Sequence, residues 1–147
     1  PIHYITMRYN TQKTEQALVK LFEEHPELAT LKTKGNITPL CYTAQYFQTS
    51  EGRQALIGLL KKHPEMLEAD GANVLKNAAK NFDTAQLQTA LVEVFEQNLE
   101  LAKEQDWDYL ENKEKPCALR IALNDFKTPQ GQRAIIKLLY EHPEIRY

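Results

Sequence analysis

The chain has 147 residues, enough for one domain that buries a core without disulfides. Its net charge of -2 gives no basic field for nucleic acid, and no apolar run reaches the roughly 18 residues that cross a membrane. Its two cysteines form neither a disulfide framework nor a Cys-x-x-Cys metal motif, which fits a reducing compartment such as the cytoplasm. Because the chain begins at Pro1 without a Met, we expect it to be part of a longer protein.

The triplet His-Pro-Glu occurs three times, always after a Leu-rich run, and starts at His25, His63 and His142. When these triplets are aligned, the residues upstream of them align as well. The alignment divides the chain into four units, approximately 1–36, 37–72, 73–115 and 116–147. A repeat of this length is typical of stacked helical units.

Each unit opens with apolar or small residues at the spacing of one helix face. In units two to four this face ends at Phe47, Phe82 and Phe126. A threonine follows in every unit, and its hydroxyl is suited to cap the next helix. These threonines are Thr11, Thr49, Thr84 and Thr128.

A second helix follows each threonine. It contains an alanine, which would let two helices approach closely, and then paired apolar residues; the alanines are Ala17, Ala55, Ala90 and Ala134. The interval between the two helix motifs is 16 residues in all four units, whereas successive units begin 38, 35 and 44 residues apart. A fixed helix pair with variable connectors predicts an all-α solenoid, because one pair cannot bury its apolar face alone.

The His-Pro-Glu triplets are interpreted as helix ends, since proline disfavours helical geometry in the residue before it. A shared metal site is the alternative. Helices in a stack lie about 8–10 Å apart, whereas zinc requires nitrogens at roughly 2 Å. The structural interpretation is therefore preferred, and no metal ligands are assigned.

The segment ITPLCYTA, residues 37–44, resembles the ankyrin signature T-P-L-H-x-A, and PIHYIT, NVLKNAA and CALRIAL are degenerate copies of it. This resemblance implies stacked helix pairs with a concave surface, formed by the first helices and the loops between units, that binds protein partners. A TPR-like array is the alternative helical repeat. Its Trp-Leu-Gly-Tyr signature is absent from the sequence.

No catalytic pattern is found in the sequence. Cys41 and His3 belong to different units, and no Ser/His/Asp or Cys/His set recurs with an orienting acid. Cys41 occupies the place of the ankyrin histidine and is expected to be a half-exposed helix residue. We therefore expect no enzyme activity, no cofactor and no small-molecule ligand.

The long connector at residues 102–115 holds Trp107 and Tyr109 among acidic side chains. Aromatic anchors in a charged surround are a common composition of binding hot spots. Two interpretations remain open: Trp107 binds a partner, or it covers the gap between units three and four.

A second candidate surface consists of first-helix residues on the polar side, namely Tyr4, Tyr42, Tyr46, Lys76, Lys80 and Arg120. Charge also divides by unit, with a net -4 over residues 74–115 and a net +2 over 116–147. Such asymmetry can steer a partner, although charge runs are often only a solvated face.

These features together predict a non-catalytic protein-binding module whose partner the sequence does not identify. One alternative is a substrate-recruiting or regulatory domain of a larger enzyme, and another is a structural spacer. Ankyrin-like arrays of this kind also occur in bacterial proteins delivered into host cells, which would place the chain in the host cytosol.

Overall fold

The computed structural model describes residues 11–32, 37–105, 107–108 and 110–145, and this part of the chain is mostly helical, as the sequence predicts. Its α-helices are α1 (Gln12–Glu24), α2 (Pro26–Ala29), α3 (Pro39–Tyr46), α4 (Ser50–Lys62), α5 (Gly71–Asn81), α6 (Ala85–Gln97), α7 (Leu99–Ala102), α8 (Ala118–Asp125) and α9 (Pro129–Glu141). A 3-10 helix spans Pro64–Glu68, and a short antiparallel hairpin joins β1 (Trp107–Asp108) to β2 (Lys113–Glu114). The predicted first helix of unit one lies outside the described residues.

The long second helices begin at the predicted threonines. Each threonine Oγ1 accepts a hydrogen bond from the backbone N–H three residues later, at 3.3, 3.0, 3.2 and 3.0 Å in units one to four. The capping prediction is confirmed at Thr11, Thr49, Thr84 and Thr128. Buried Thr38 caps α3 in the same way, through the N–H of Cys41.

The long helices lie in two rows. The first helices of units two to four, α3, α5 and α8, contact each other in chain order, and the second helices α1, α4, α6 and α9 do the same. The phenylalanine that ends each first helix is 1 to 2% exposed and belongs to the shared core, as predicted for Phe47, Phe82 and Phe126. Alanines 55, 90 and 134 are partly buried at the edge of this core, whereas Ala17 is exposed.

The His-Pro-Glu triplets are corners in the chain. His25, His63 and His142 are the C-caps of α1, α4 and α9, which confirms that the triplet marks a helix end. In each corner the histidine carbonyl accepts from the N–H three residues later, at 3.0 to 3.1 Å, and this turn directs Ala29, Leu67 or Ile145 into the core. The proline also starts a new short helix in units one and two.

Within two of these corners, the histidine ring contacts the glutamate two residues later at Nδ1 to Oε1 distances of 3.0 Å in unit two and 3.2 Å in unit four. The glutamate's own backbone N–H and this ring together lower the pKa of the Glu65 and Glu144 carboxyl groups. The histidine and glutamate therefore bind each other within one unit, and in unit two the other ring nitrogen, His63 Nε2, also lies 3.9 Å from Glu23 of unit one.

A polar side chain two residues before each alanine joins neighbouring units. Glu15 is completely buried and accepts hydrogen bonds from the N–H groups of Gln48 and Thr49, at 2.9 and 3.1 Å, and from the Thr49 hydroxyl. In unit three, Gln88 accepts from the Thr128 hydroxyl while its amide donates to the Phe82 carbonyl at 3.0 Å. We call the side chains at this position, Glu15, Arg53, Gln88 and Gln132, the clasps. Glu15 and Gln88 bind the threonine cap of the following second helix.

The clasp of unit two is an arginine and works differently. Arg53 donates to the Phe47 carbonyl at 2.9 Å and forms an ion pair with Asp83 of unit three at 3.1 Å. Its guanidinium lies 5.6 Å from the centre of the Phe82 ring, within the range of a cation–π contact. An arginine has no acceptor for the threonine hydroxyl, so at this position unit two is linked to unit three by an ion pair instead of a hydrogen bond to the cap.

Candidate functional site

Tyr42 and Tyr46 lie on one side of α3, half-buried, with their rings stacked at a centroid distance of 5.9 Å and an interplanar angle of 23°. The equivalent residues of α5 are Asn77 and Asn81, which donate to Cys41 Sγ at 3.2 Å and to the Ala44 carbonyl at 3.3 Å in the preceding unit. This side of a first helix thus faces the unit before it. For Tyr42 and Tyr46 that unit's first helix is expected within residues 1–10, which also hold Tyr4 and lie outside the described residues.

The three predicted basic residues are not equally accessible. Lys80 and Arg120 are exposed, whereas Lys76 is only 8% exposed, so the prediction that Lys76 lies on the open polar side is wrong. The reason is the following unit, because Pro116 and Ile121 line the same cleft as Lys76. A lysine can bury its aliphatic stem in this way while its ammonium group reaches a cleft.

Two adjoining clefts between units three and four are lined by cationic side chains. The first has a volume of about 260 Å³ and is lined by Asn73, Lys76, Asn77, Lys80, Lys115, Pro116 and Ile121. The second has a volume of about 280 Å³ and is lined by Gln105, Lys113, Glu114, Lys115, Pro116, Arg120 and Asn124. Lys115 and Pro116 belong to both, so the clefts form one continuous surface.

We call this surface the basic face and define it by Lys76, Lys80, Lys113, Lys115 and Arg120. Glu114 is the acidic residue that lines it, and Lys113 forms an ion pair with Glu111 of the same hairpin. Close spacing of like charges in a cleft strengthens the local potential felt by an approaching anion. The basic face therefore forms a positive site on a chain whose overall charge is negative.

The connector with the predicted aromatic anchor is partly ordered as the β1–β2 hairpin. Trp107 pairs with Glu114 and Asp108 pairs with Lys113, so the backbone of Trp107 runs beside the strand that supplies Lys113 to the basic face. Leu110, at the turn, is 99% exposed, and Asn112 has a φ of 53°, which asparagine tolerates better than most residues. Tyr109 lies outside the described residues.

Lys113 and Lys115 belong to the basic face, although neither was predicted from the sequence as a binding residue. In the sequence they belong to a connector whose composition is highly charged and shows no other feature of a binding site. The signal that could have found them is the alternation Lys113-Glu114-Lys115 directly before Pro116, which is compatible with a strand returning to the next helix.

Cys41 is buried at 4% exposure, so its predicted half-exposed position is wrong. Burial and the nearby Asp70 carboxylate raise the pKa of the Cys41 thiol to about 12, although the Asn77 amide opposes this shift by donating to the sulfur. The reactive form of cysteine is the thiolate. Cys41 therefore stays protonated at neutral pH and is not an activated nucleophile.

The described part of the chain contains no group of three or more His, Cys, Asp or Glu side chains placed to hold a metal ion. None of its helices combines the length and the apolar content needed to cross a bilayer. Comparison with family models, with curated proteins and with solved structures finds no match to this chain.

Proposed function

We propose that the chain is a non-catalytic protein-binding module, a solenoid of four ankyrin-like helix pairs whose basic face binds an acidic segment of a protein partner. The observation that carries the proposal is the basic face, on which five cationic side chains from two units and the hairpin line adjoining clefts. Lys80 and Arg120 are exposed there and come from different first helices.

The form of the basic face favours an extended acidic segment over a single small anion. Its charges follow the seam between α5 and α8 and continue onto β2, so a chain with several Asp or Glu side chains can contact them in succession. Complementary charge raises the association rate and excludes basic partners, and its effect falls as salt increases. Binding to the basic face should therefore weaken markedly at high ionic strength.

The hairpin is proposed to supply the apolar part of the same site. Trp107 lies on the strand paired with β2, next to the cationic residues. In this arrangement, Trp107 and Tyr109 anchor the partner while the basic face positions it, which is the usual division between a hot spot and its charged surround. Two unpaired, buried cysteines support a reducing location such as the cytoplasm.

The test is affinity capture with the chain, followed by binding measurements with the partner identified. A Lys80→Glu/Arg120→Glu variant reverses two exposed charges of the basic face and should lose at least tenfold in affinity. A matched control, Lys13→Glu/Lys127→Glu, reverses two exposed charges outside the basic face and should bind as the parent does. Melting temperatures of all three proteins establish that folding is intact.

Two results would contradict the proposal. One is a partner that binds the Lys80→Glu/Arg120→Glu variant as tightly as the parent, and the other is an affinity that does not depend on salt. Trp107→Ala tests the anchor separately. Lost affinity with unchanged melting temperature supports it, whereas lost stability with unchanged affinity assigns Trp107 to covering the gap between units three and four.

A further inference from the structure

The second helix of unit four, α9, exposes apolar side chains at positions that are buried in the other units. Ile136 and Tyr140 of α9 are 56% and 87% exposed. The residues equivalent to Ile136 in units one to three are 4 to 7% exposed, because the second helix of the next unit packs against them; they are Val19, Ile57 and Val92. A cleft of about 730 Å³ beside α9 is lined by Leu123, Ile136, Leu139, Tyr140, Pro143 and Ile145.

The first described helix exposes the opposite face. Ala17 of α1 is exposed and Leu21 is only partly buried. The residues equivalent to Leu21 are 0 to 3% exposed, and they are Leu59, Val94 and Leu138. Leu59 lines the groove between α1 and α4, and α6 and α9 likewise contact the second helix before them. Among the described helices, α1 has no such neighbour.

The groove between α1 and α4 shows how the two faces meet inside the chain. Val19 and Glu23 of α1 line it from one side, and Ala55 and Leu59 of α4 line it from the other. Val19 is equivalent to Ile136, and Ala55 and Leu59 are equivalent to Ala17 and Leu21. The two uncovered faces of the chain are therefore the two halves of an interface that it already forms internally.

We propose that a second copy of this chain stacks its α1 against α9 of the first, head to tail, and repeats the α1–α4, α4–α6 and α6–α9 interfaces. The residues equivalent to Tyr140 are Glu23 in unit one and Lys61 in unit two. Each forms an ion pair with the following unit: Glu23 with Lys62, and Lys61 with Glu93. In α1, the residue equivalent to Lys62 is Glu24 and the residue equivalent to Glu93 is Lys20. Tyr140 of one copy therefore lies beside Lys20 and Glu24 of the next.

The clasps add a polar contact to the same interface. Gln132 donates to the Phe126 carbonyl at 2.9 Å, as Gln88 does to the Phe82 carbonyl. Gln88 also accepts from the Thr128 hydroxyl of the following unit. By the same geometry, Gln132 accepts from Thr11 of the second copy once the Thr11 hydroxyl turns away from Thr14 Oγ1, to which it donates at 2.9 Å in the single chain. Thr11 is the cap of α1, the helix that the stack brings to α9.

One residue makes this contact weaker than the internal ones. Gly52 and Gly131 leave room for the clasps, because a Cβ there would lie 2.0 Å from Glu15 Oε1 or 2.1 Å from Gln88 Oε1. In α1 the same position holds Thr14, which crowds Gln132 of the other copy. Leu87 occupies this position in unit three, where the preceding clasp is Arg53 and does not bind the threonine cap. An interface between second helices can therefore form with a side chain at this position, but without the hydrogen bond from clasp to cap. The association is accordingly reversible.

A head-to-tail interface uses two different faces and leaves one of each free, so it extends beyond a dimer. The mass of the parent chain, measured by sedimentation or light scattering, should rise with concentration past that of two copies. Ala17→Glu and Ile136→Glu place a charge on one face each and should both be monomeric. Gln130→Glu, an equal charge change at an exposed position of α9, should behave as the parent does.

Mixing the two blocked variants gives the sharpest test. Each keeps one intact face, so the mixture should form a 1:1 dimer and nothing larger. Thr14→Gly should strengthen self-association of the parent several-fold by relieving the contact with Gln132. A parent that stays monomeric at every concentration overturns the proposal, and so does a mixture of the two variants that remains monomeric. Circular dichroism of each variant confirms that the monomers are folded.

Discussion

Glu15 of unit one binds Thr49 of unit two at the point where α4 begins. The carboxylate, which is completely buried, accepts from the Thr49 hydroxyl and from two backbone N–H groups. Buried donors that lose their acceptor cost about 1–3 kcal/mol each. This contact should therefore be among the most sensitive in the chain.

We expect Glu15→Ala to lower the free energy of unfolding by about 3 kcal/mol, because it leaves the donors at Gln48 and Thr49 unpaired. Glu15→Gln should cost less, since Gln88 accepts from a threonine hydroxyl at the equivalent position. Chemical denaturation measures both. Exposed Glu24→Ala is the control, and an equal loss for Glu24→Ala and Glu15→Ala would contradict the clasp.

Two glycines of α4 should respond in opposite directions to the same change. Gly52→Ala puts a Cβ 2.6 Å from the Glu15 Cβ and should destabilise the protein by about 1–3 kcal/mol. Gly58 has no heavy atom within 4 Å of such a Cβ, so Gly58→Ala should stabilise it by about 0.5–1 kcal/mol through lower chain entropy. Denaturation midpoints of the two variants decide this, and the same sign for both would be inconsistent with the close approach of α1 to α4.

Phe82 is 2% exposed, and Arg53 of the preceding unit covers its ring. Phe82→Ala should cost about 3–5 kcal/mol, through lost burial and the cavity that remains. Leu110→Ala removes a side chain that is 99% exposed and should leave stability within error. Thermal or chemical unfolding provides the measurement, and a midpoint for Phe82→Ala equal to that of the parent would remove this residue from the core.

Cys41 should make the stability depend on pH in the alkaline range. The pKa of its thiol is raised in the folded chain from 9.0 to about 12, so its contribution is fully present below pH 9 and is lost as pH rises towards 12. The free energy of unfolding should fall by up to about 1.4 kcal/mol per pH unit in this window. Cys41→Ala should flatten the slope, and identical slopes for the variant and the parent would show that the thiol does not ionise on unfolding.

The His-Pro-Glu corners should not depend on metal. His63→Asn should change stability only mildly, since Asn98 is the C-cap of α6 at the equivalent place. Zinc should not raise the melting temperature of the parent, because a ligand of the native state must stabilise it by mass action. A rise with zinc that His63→Asn abolishes would reverse the structural interpretation of the triplet.

The repeated features were predictable from the sequence because they depend on contacts within one unit. Thr49 caps the helix that follows it, Phe47 ends the helix before it, and His63 ends α4; each follows from local spacing. These features need only helix periodicity and the chemistry of helix ends.

The features that were missed depend on the neighbouring unit. Glu15 and Gln88 look like ordinary polar residues on helix surfaces until the following unit brings a threonine cap to them. Lys76 is buried and shares a cleft with Pro116 and Ile121 of the following unit. Periodicity within a helix does not specify which face the next unit covers, so these assignments required the packed structure.

The turn of the β1–β2 hairpin is a site at which the chain can be cut. The hairpin lies between α7 and α8, and its turn residue Leu110 is almost fully exposed. Units three and four also contact each other through their helices, α5 with α8 and α6 with α9. A protease that cuts the turn would therefore leave two fragments still held together by those interfaces. The same property makes the turn a suitable place to split the protein into two pieces whose reassembly reports on contact between units three and four.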